Sequence, residues 1–202
     1  GDVYKRQHPD RYAGAVVDLL DELGIETAVV AGCSWGGQVA AHTGVQSPQR
    51  TAAVLMMNTP LAPSLGGARF QILGTRMVGS TAFWGKGVAR SMIAPPTKQT
   101  HPERVAEFVA AFGGFDRAAA TDTVRTVLAR SPGLAAVLPQ LRVPTTLLMG
   151  AQDALYPPDA AMPLARLAPG ATIEVVPSCG HLAPLEAPEV VVDALNSLAM
   201  KV

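Results

Sequence analysis

The sequence predicts an α/β chain built on a mostly parallel, doubly wound sheet. Two observations carry the prediction. Up to residue 60 the pattern runs helix, strand, helix, strand, and after residue 135 it resumes with two further apolar strands, each followed by a helix. In addition, the apolar run Ala28-Val29-Val30-Ala31 ends in Gly32-Cys33-Ser34-Trp35-Gly36, a G-x-S-x-G pattern set between a strand and a helix. A buried strand that turns so abruptly puts Ser34 at the tip of the turn in a strained backbone conformation. It should also bring Gly32 and Gly36 so close to neighbouring backbone that a Cβ would collide.

From Asp10 to Leu23, apolar residues at Ala13, Val16, Val17, Leu19, Leu20 and Leu23 recur at helical spacing, and Gly24 closes the helix. A strand follows at 28–32. The next helix spans 35–45, with Val39, Ala40 and Ala41 available for burial and Pro48 beyond its end. Residues 52–57 make a second buried strand. The rhythm then stops. Residues 61–135 read as a mostly helical insertion: scattered Gly and Pro, an aromatic and methionine stripe (Phe70, Met77, Phe83, Trp84, Met92), and Pro95-Pro96. Within it, a helix at 102–113 starts near Pro102 and carries Val105, Phe108, Val109 and Phe112 on one side. Another spans about 116–130. The sheet resumes with a strand at 143–149 ending at Gly150-Ala151-Gln152-Asp153. A short helix at 158–168, a strand at 171–176, Pro177-Ser178-Cys179-Gly180-His181 and a closing helix at 186–198 complete the chain. Residues 8–60 and 136–202 are thus expected to form the core, and 61–135 the insertion. Residues 1–7 look like a non-native leader of the sort found at broken ends of metagenomic reading frames, which implies a fragment of a longer gene.

A chain of 202 residues, 49% of them hydrophobic, can bury one sizeable core and a small inserted subdomain. Sixteen Lys and Arg balance sixteen Asp and Glu, and the arginines are dispersed, so neither a nucleic-acid nor an anionic membrane partner is expected. No apolar run is long enough to span a bilayer, and Lys5-Arg6 lead into polar residues rather than a signal-peptide core, which makes a cytoplasmic location the expectation. The two cysteines, Cys33 and Cys179, read as reduced, buried, small apolar side chains.

Ser34 is a weak nucleophile at its own pKa and needs a base held by a third group. Asp153 and His181 each lie just past the carboxyl end of a predicted parallel strand, and loops at those ends share one rim of a sheet. The order serine, acid, histidine suits acyl transfer: His181 takes the Ser34 proton and returns it to the leaving group, while Asp153 holds the imidazole tautomer. Asp159 is the alternative acid, at the start of the next helix. His42 reads as a packed helix residue. No spacing of His and carboxylates suggests a metal, and Gly36-Gly37 lacks the features of a phosphate loop.

Taken together, Ala28 to Gly37, Gly150-Ala151-Gln152-Asp153 and Gly180-His181 resemble the α/β-hydrolase superfamily, in its capped serine-esterase-like branch, over nearly all of residues 8–199. The resemblance implies that the four strands are the fifth to eighth of the family's sheet and that 61–135 is the cap over the active site. It implies catalysis by Ser34, Asp153 and His181, with the Trp35 backbone N–H as one oxyanion donor. The loop that gives the second donor has no counterpart in the chain. Trp35, Phe83 and Trp84 are expected to wall a pocket for a small, fairly apolar substrate, whose ester or similar acyl bond is cleaved without a cofactor. A non-catalytic binding protein of the same fold and an inactive fragment are the alternatives.

Overall fold

The computed structural model describes residues 8–62, 65–79, 81–125, 127 and 133–200. Four strands, β1 (Ala28–Cys33), β2 (Thr51–Met57), β3 (Thr145–Gly150) and β4 (Thr172–Val176), form one sheet in chain order, every neighbouring pair parallel. Each lies within two residues of its predicted position. Pro144 accounts for the late start of β3: it has no N–H to give the ladder, although its carbonyl still accepts from Val54 N at 2.8 Å. The register aligns Cys33 with Met57, Met57 with Leu148 and Gly150 with Val176, so the carboxyl ends of all four strands reach one rim.

Alternation along β2 splits the core in two. Ala53, Leu55 and Met57 point to one face, where they meet Leu148, Val176 and the apolar stripe Val191, Ala194 and Leu198 of α10 (Pro188–Ala199). Val54 and Met56 point to the other, against Ala40 and Ala41 of α2 (Trp35–Gln46), Leu147, and Leu164 of α8 (Ala161–Leu167). Helix α1 (Pro9–Glu22) packs on α2. Helices thus cover both faces, and β2 and β3 are buried along almost their whole length for that reason.

Between β2 and β3 lie α3 (Leu65–Val78), α4 (Ala82–Met92), α5 (Pro95–Thr100), α6 (Pro102–Gly113) and α7 (Arg117–Val124). The sequence marks α6 at the observed bounds, but individual helices between 61 and 100 are visible only in the structure. Thr81 caps α4 by accepting from Trp84 N at 3.2 Å, and Pro95 stands in the first turn of α5, where its missing N–H costs nothing. Ala89 and Ile93 pack with Val105, Phe108 and Val109 of α6 and with Leu182 and Leu185 of the core. The helix expected over 116–130 is present as α7, and residues 126 and 128–132 lie outside the described residues, as do residues 1–7 and the side chains of Phe70 and Phe112.

The expected closing helix is two. A short α9 (Ala183–Glu186) precedes α10, and Ala187 between them leaves the helical region (φ −139°, ψ 60°), because Pro188 disfavours a helical residue before it. Likewise Pro158–Ala160 is a 3₁₀ turn leading into α8. Among the described residues no helix is long and apolar enough to cross a membrane.

Candidate active site

Ser34 stands between β1 and α2 with φ 55° and ψ −121°, a region that L-residues avoid. Its N–H donates to Met57 O at 2.7 Å, which ties the turn to β2. Gly32 makes the turn possible: a Cβ there would overlap the Gly36 carbonyl and stand 2.6 Å from Gly37 N. The expectation for Gly36 is corrected. A Cβ on Gly36 meets nothing within 4 Å among the described residues, whereas one on Gly37 would overlap Thr59 Oγ1. The second tight approach is therefore one residue further on, where α2 passes the loop after β2.

The strand ends bring Ser34, His181 and Asp153 together across gaps of 147 and 28 residues. His181 Nε2 lies 2.9 Å from Ser34 Oγ, and His181 Nδ1 lies 2.8 Å from Asp153 Oδ2. A carboxylate can only accept, so Nδ1 carries the proton and Nε2 presents its lone pair to the serine hydroxyl. His181 is 1% exposed and Asp153 3%, so water does not compete for either. Asp153 is fully engaged. Its Oδ1 accepts from Leu155 N (2.8 Å) and Tyr156 N (3.0 Å), and its Oδ2 also accepts from Asn58 Nδ2 at 2.9 Å. Burial pushes the Asp153 pKa up, but the hydrogen bond and charge of His181 and the two backbone N–H groups outweigh it and hold the carboxyl below its ordinary value. Asp159 is exposed on the 3₁₀ turn and does not reach the histidine.

Sequence reasoning missed Asn58. This fully buried residue directly follows β2 with φ 48° and also donates to Gly180 O at 3.2 Å, linking the loops that carry Asp153 and His181. An asparagine directly after an apolar strand, tolerant of the left-handed region, was the available signal. Glu186, a single carboxylate in an apolar and proline-rich stretch, was also passed over. Tyr156 sits with its ring centroid 5.6 Å from that of His181.

The predicted pocket residues are dispersed. Trp35 opens α2 beside the serine, half-buried, its ring edge-on to Tyr12 at 5.1 Å. Phe83 is a correction: at 78% exposure it faces away from the helical block, since residues adjacent on a helix point about 100° apart and Trp84 takes the inward direction. Met77 is exposed as well. Trp84 packs against Gly74 and lines an apolar cavity of about 340 Å³ with Thr75, Gly79, Phe115, Ala119 and Val124. None of Ser34, Asp153 and His181 borders that cavity. His42 is buried on α2, away from the other three.

Both cysteines are free thiols packed into the core beneath the site. Burial, reinforced by the charge of Asp153 for Cys33 and of Glu186 for Cys179, pushes each pKa from 9.0 up to about 12. A shift from 9.0 to about 12 lowers the thiolate fraction about a thousandfold at pH 8. Iodoacetamide at pH 8 is thus expected to leave the native chain unmodified over a period in which the guanidinium-unfolded chain gains two adducts by mass. Prompt modification of the native chain would contradict the burial. Because the unfolded thiols ionise first, unfolding releases protons above pH 9, and stability is expected to fall as pH rises from 9 towards 12.

The sequence profile of the alpha/beta hydrolase family matches residues 4–194. The chain is similar to the carboxylesterase YbfK of Bacillus subtilis, with 27% identity over 191 residues, covering 89% of this chain and 60% of that protein. It is also similar to a 2-hydroxy-6-oxo-6-phenylhexa-2,4-dienoate hydrolase of Burkholderia cepacia, with 25% identity over 210 residues, covering 93% of this chain and 66% of that protein. The chain therefore spans 60% and 66% of the length of these two relatives. Among solved structures, a thermophilic esterase from Thermogutta terrifontis superposes with a TM-score of 0.83 at 25% identity, over 96% of this chain and 72% of that one. With a parallel sheet wound by helices on both faces and a match along nearly its whole length, the chain belongs to the alpha/beta hydrolase family.

Proposed function

We propose that the protein is a serine hydrolase that cleaves an ester or similar acyl bond of a small, fairly apolar substrate through an acyl-enzyme intermediate. The observation that carries this reading is the hydrogen-bonded line from Ser34 Oγ through the His181 ring to Asp153, with the serine held at φ 55° at the tip of a strand-to-helix turn. Ser34 Oγ bonds to the acyl carbon as its proton passes to His181 Nε2. Asp153 stabilises the resulting imidazolium. The oxyanion of the tetrahedral intermediate is assigned to the Trp35 N–H at the start of α2, where backbone donors and the helix dipole favour negative charge. No described residue is assigned as the second donor. Collapse of the intermediate breaks the bond to the leaving alcohol, which takes the proton from His181. Water then repeats the sequence and frees the acid.

Helices α3–α7 are assigned as the cap, and the four strands as the fifth to eighth of the family's sheet. The apolar character of the substrate is supported by the half-buried Trp35 beside the nucleophile. The names of the two relatives, a carboxylesterase and a phenylhexadienoate hydrolase, agree with hydrolysis of a small organic substrate.

A fluorophosphonate probe tests the assignment, since it phosphonylates an activated serine and stays attached. The intact chain should gain the mass of one adduct, located by digestion on the peptide containing Ser34, and Ser34→Ala should gain none. An equal gain in Ser34→Ala, or no adduct on the intact chain, would sink the reading.

A further inference from the structure

Among the described residues, the proposed mechanism leaves one buried carboxylate unused. Glu186 ends α9, is 8% exposed, and has both oxygens occupied. Its Oε2 accepts from Ala94 N at 2.7 Å, Thr97 Oγ1 at 3.0 Å and Gly180 N at 3.1 Å, while Oε1 accepts from Leu182 N at 3.0 Å. Two of these donors flank His181 in the chain. The other two belong to the helical block, at and inside the start of α5. His181 donates its own backbone N–H to Met92 O at 2.7 Å. Every backbone N–H from 180 to 182 thus ends on Glu186 or on Met92.

The fit is close. A Cβ on Gly180 would stand 2.6 Å from Met92 O and 2.7 Å from Ala94 N, so the histidine loop and the block touch backbone to backbone. From the other side, Arg104 of α6 donates through Nη1 to Leu185 O at 3.1 Å and Glu186 O at 3.3 Å. The site also demands a carboxylate. Ala94, Gly180 and Leu182 offer N–H groups that only donate, so a glutamine would have to aim its own NH₂ at one of them. Placed at Oε1, it breaks the bond to Leu182. Placed at Oε2, it breaks the bonds to Ala94 and Gly180. Either orientation frees a residue next to His181.

We infer that Glu186 is a positioning residue that locks the His181 loop and couples the setting of the histidine to the seating of helices α4–α6. The inference rests on the reading of His181 as the general base. A displaced imidazole loses its alignment on Ser34 Oγ, and misplacement by about 1 Å costs on the order of 10²-fold in rate. Movement of the block against the core would reach the backbone N–H groups of residues 180–182 through this side chain and the Met92 carbonyl.

The test compares the full chain with its Glu186→Gln and Thr97→Val variants by two readouts. The first is fluorophosphonate labelling over a range of probe concentrations, which separates the maximal rate per reactive site from the probe concentration giving half that rate. The second is amide hydrogen exchange. For Glu186→Gln, the maximal rate per site should fall roughly 10- to 100-fold, the half-saturating concentration should stay within roughly twofold, and exchange at Ala94, Gly180 and Leu182 should quicken. Thr97→Val removes only the block's hydroxyl from the network, so it also serves should Glu186→Gln not fold. It should lower the rate per site roughly 2- to 10-fold, as expected for one hydrogen bond, with unchanged half-saturation. A merely structural glutamate would reduce the number of reactive sites and leave the rate of each unchanged, and that result overturns the inference. An unchanged rate per site in Thr97→Val overturns the coupling. Failure of the two readings is separable: an unlabelled wild-type chain overturns the nucleophile assignment, whereas wild-type exchange at Gly180 and Leu182 in Glu186→Gln overturns the clamp whether or not the chain reacts.

Discussion

Replacing His181 with alanine is expected to slow phosphonylation of Ser34 by at least about 10³-fold, equivalent to about 4 kcal/mol of lost transition-state stabilisation. The size follows from what the ring does in the proposed mechanism. Nε2, 2.9 Å from Ser34 Oγ, is the only base within hydrogen-bond reach of that hydroxyl among the described residues, and without it the proton must leave to water. Asp153→Asn should produce a comparable loss by another route. It keeps the volume, but the Asp153 oxygens accept from Leu155, Tyr156, Asn58 and His181, so an amide must turn N–H groups towards donors. The imidazole is then no longer held with its proton on Nδ1. Asp159→Asn is the control and should label at the wild-type rate, because that side chain is exposed and does not reach the ring. Wild-type labelling of His181→Ala, measured as the second-order rate of adduct formation, would refute the triad.

A single methyl group at Gly32 is expected to have the largest effect on folding. The Cβ of Gly32→Ala would overlap the Gly36 carbonyl and crowd Gly37 N, and all of these are backbone atoms in the turn that carries Ser34. A side chain could swing away, but backbone cannot move without dislodging either α2 from the sheet or Ser34 N from Met57 O. The expected loss is about 3 kcal/mol or more, beyond ordinary overpacking, which corresponds to roughly 6–12 °C in Tm for a chain of this size. Gly36→Ala is the informative comparison. Its Cβ would enter open space, and alanine favours a helix over glycine, so stability should be unchanged or slightly raised. Equal losses at both positions in thermal unfolding would show that the turn tolerates no side chain anywhere and that the clash at Gly32 is not the cause.

Much of this protein is legible in one dimension because its signals are local. Short, largely apolar runs alternating with helical patterns read as parallel strands, and β1 to β4 fall within two residues of where those runs place them. A glycine two before a serine and another two after it mark a strand-to-helix turn here because an apolar run precedes them and a helix-compatible sequence follows. Loops at the carboxyl ends of parallel strands must share a rim, which made Ser34, Asp153 and His181 candidates to meet across the sheet.

Tertiary structure decided everything that depends on which element faces which. Periodicity reports that one side of a helix is buried, but not against what. It therefore could not separate inward Trp84 from outward Phe83, nor place the second close approach at Gly37 rather than Gly36. Only in space is it visible that Asp153, not Asp159, lies beside His181, held there by two backbone N–H groups, an asparagine and the histidine itself. Asn58 meets Asp153 across 95 residues and Glu186 meets Ala94 across 92. Such partners leave no periodic trace, since a buried polar side chain needs only one well-placed group somewhere in the chain, and only the packed fold determines where that group is.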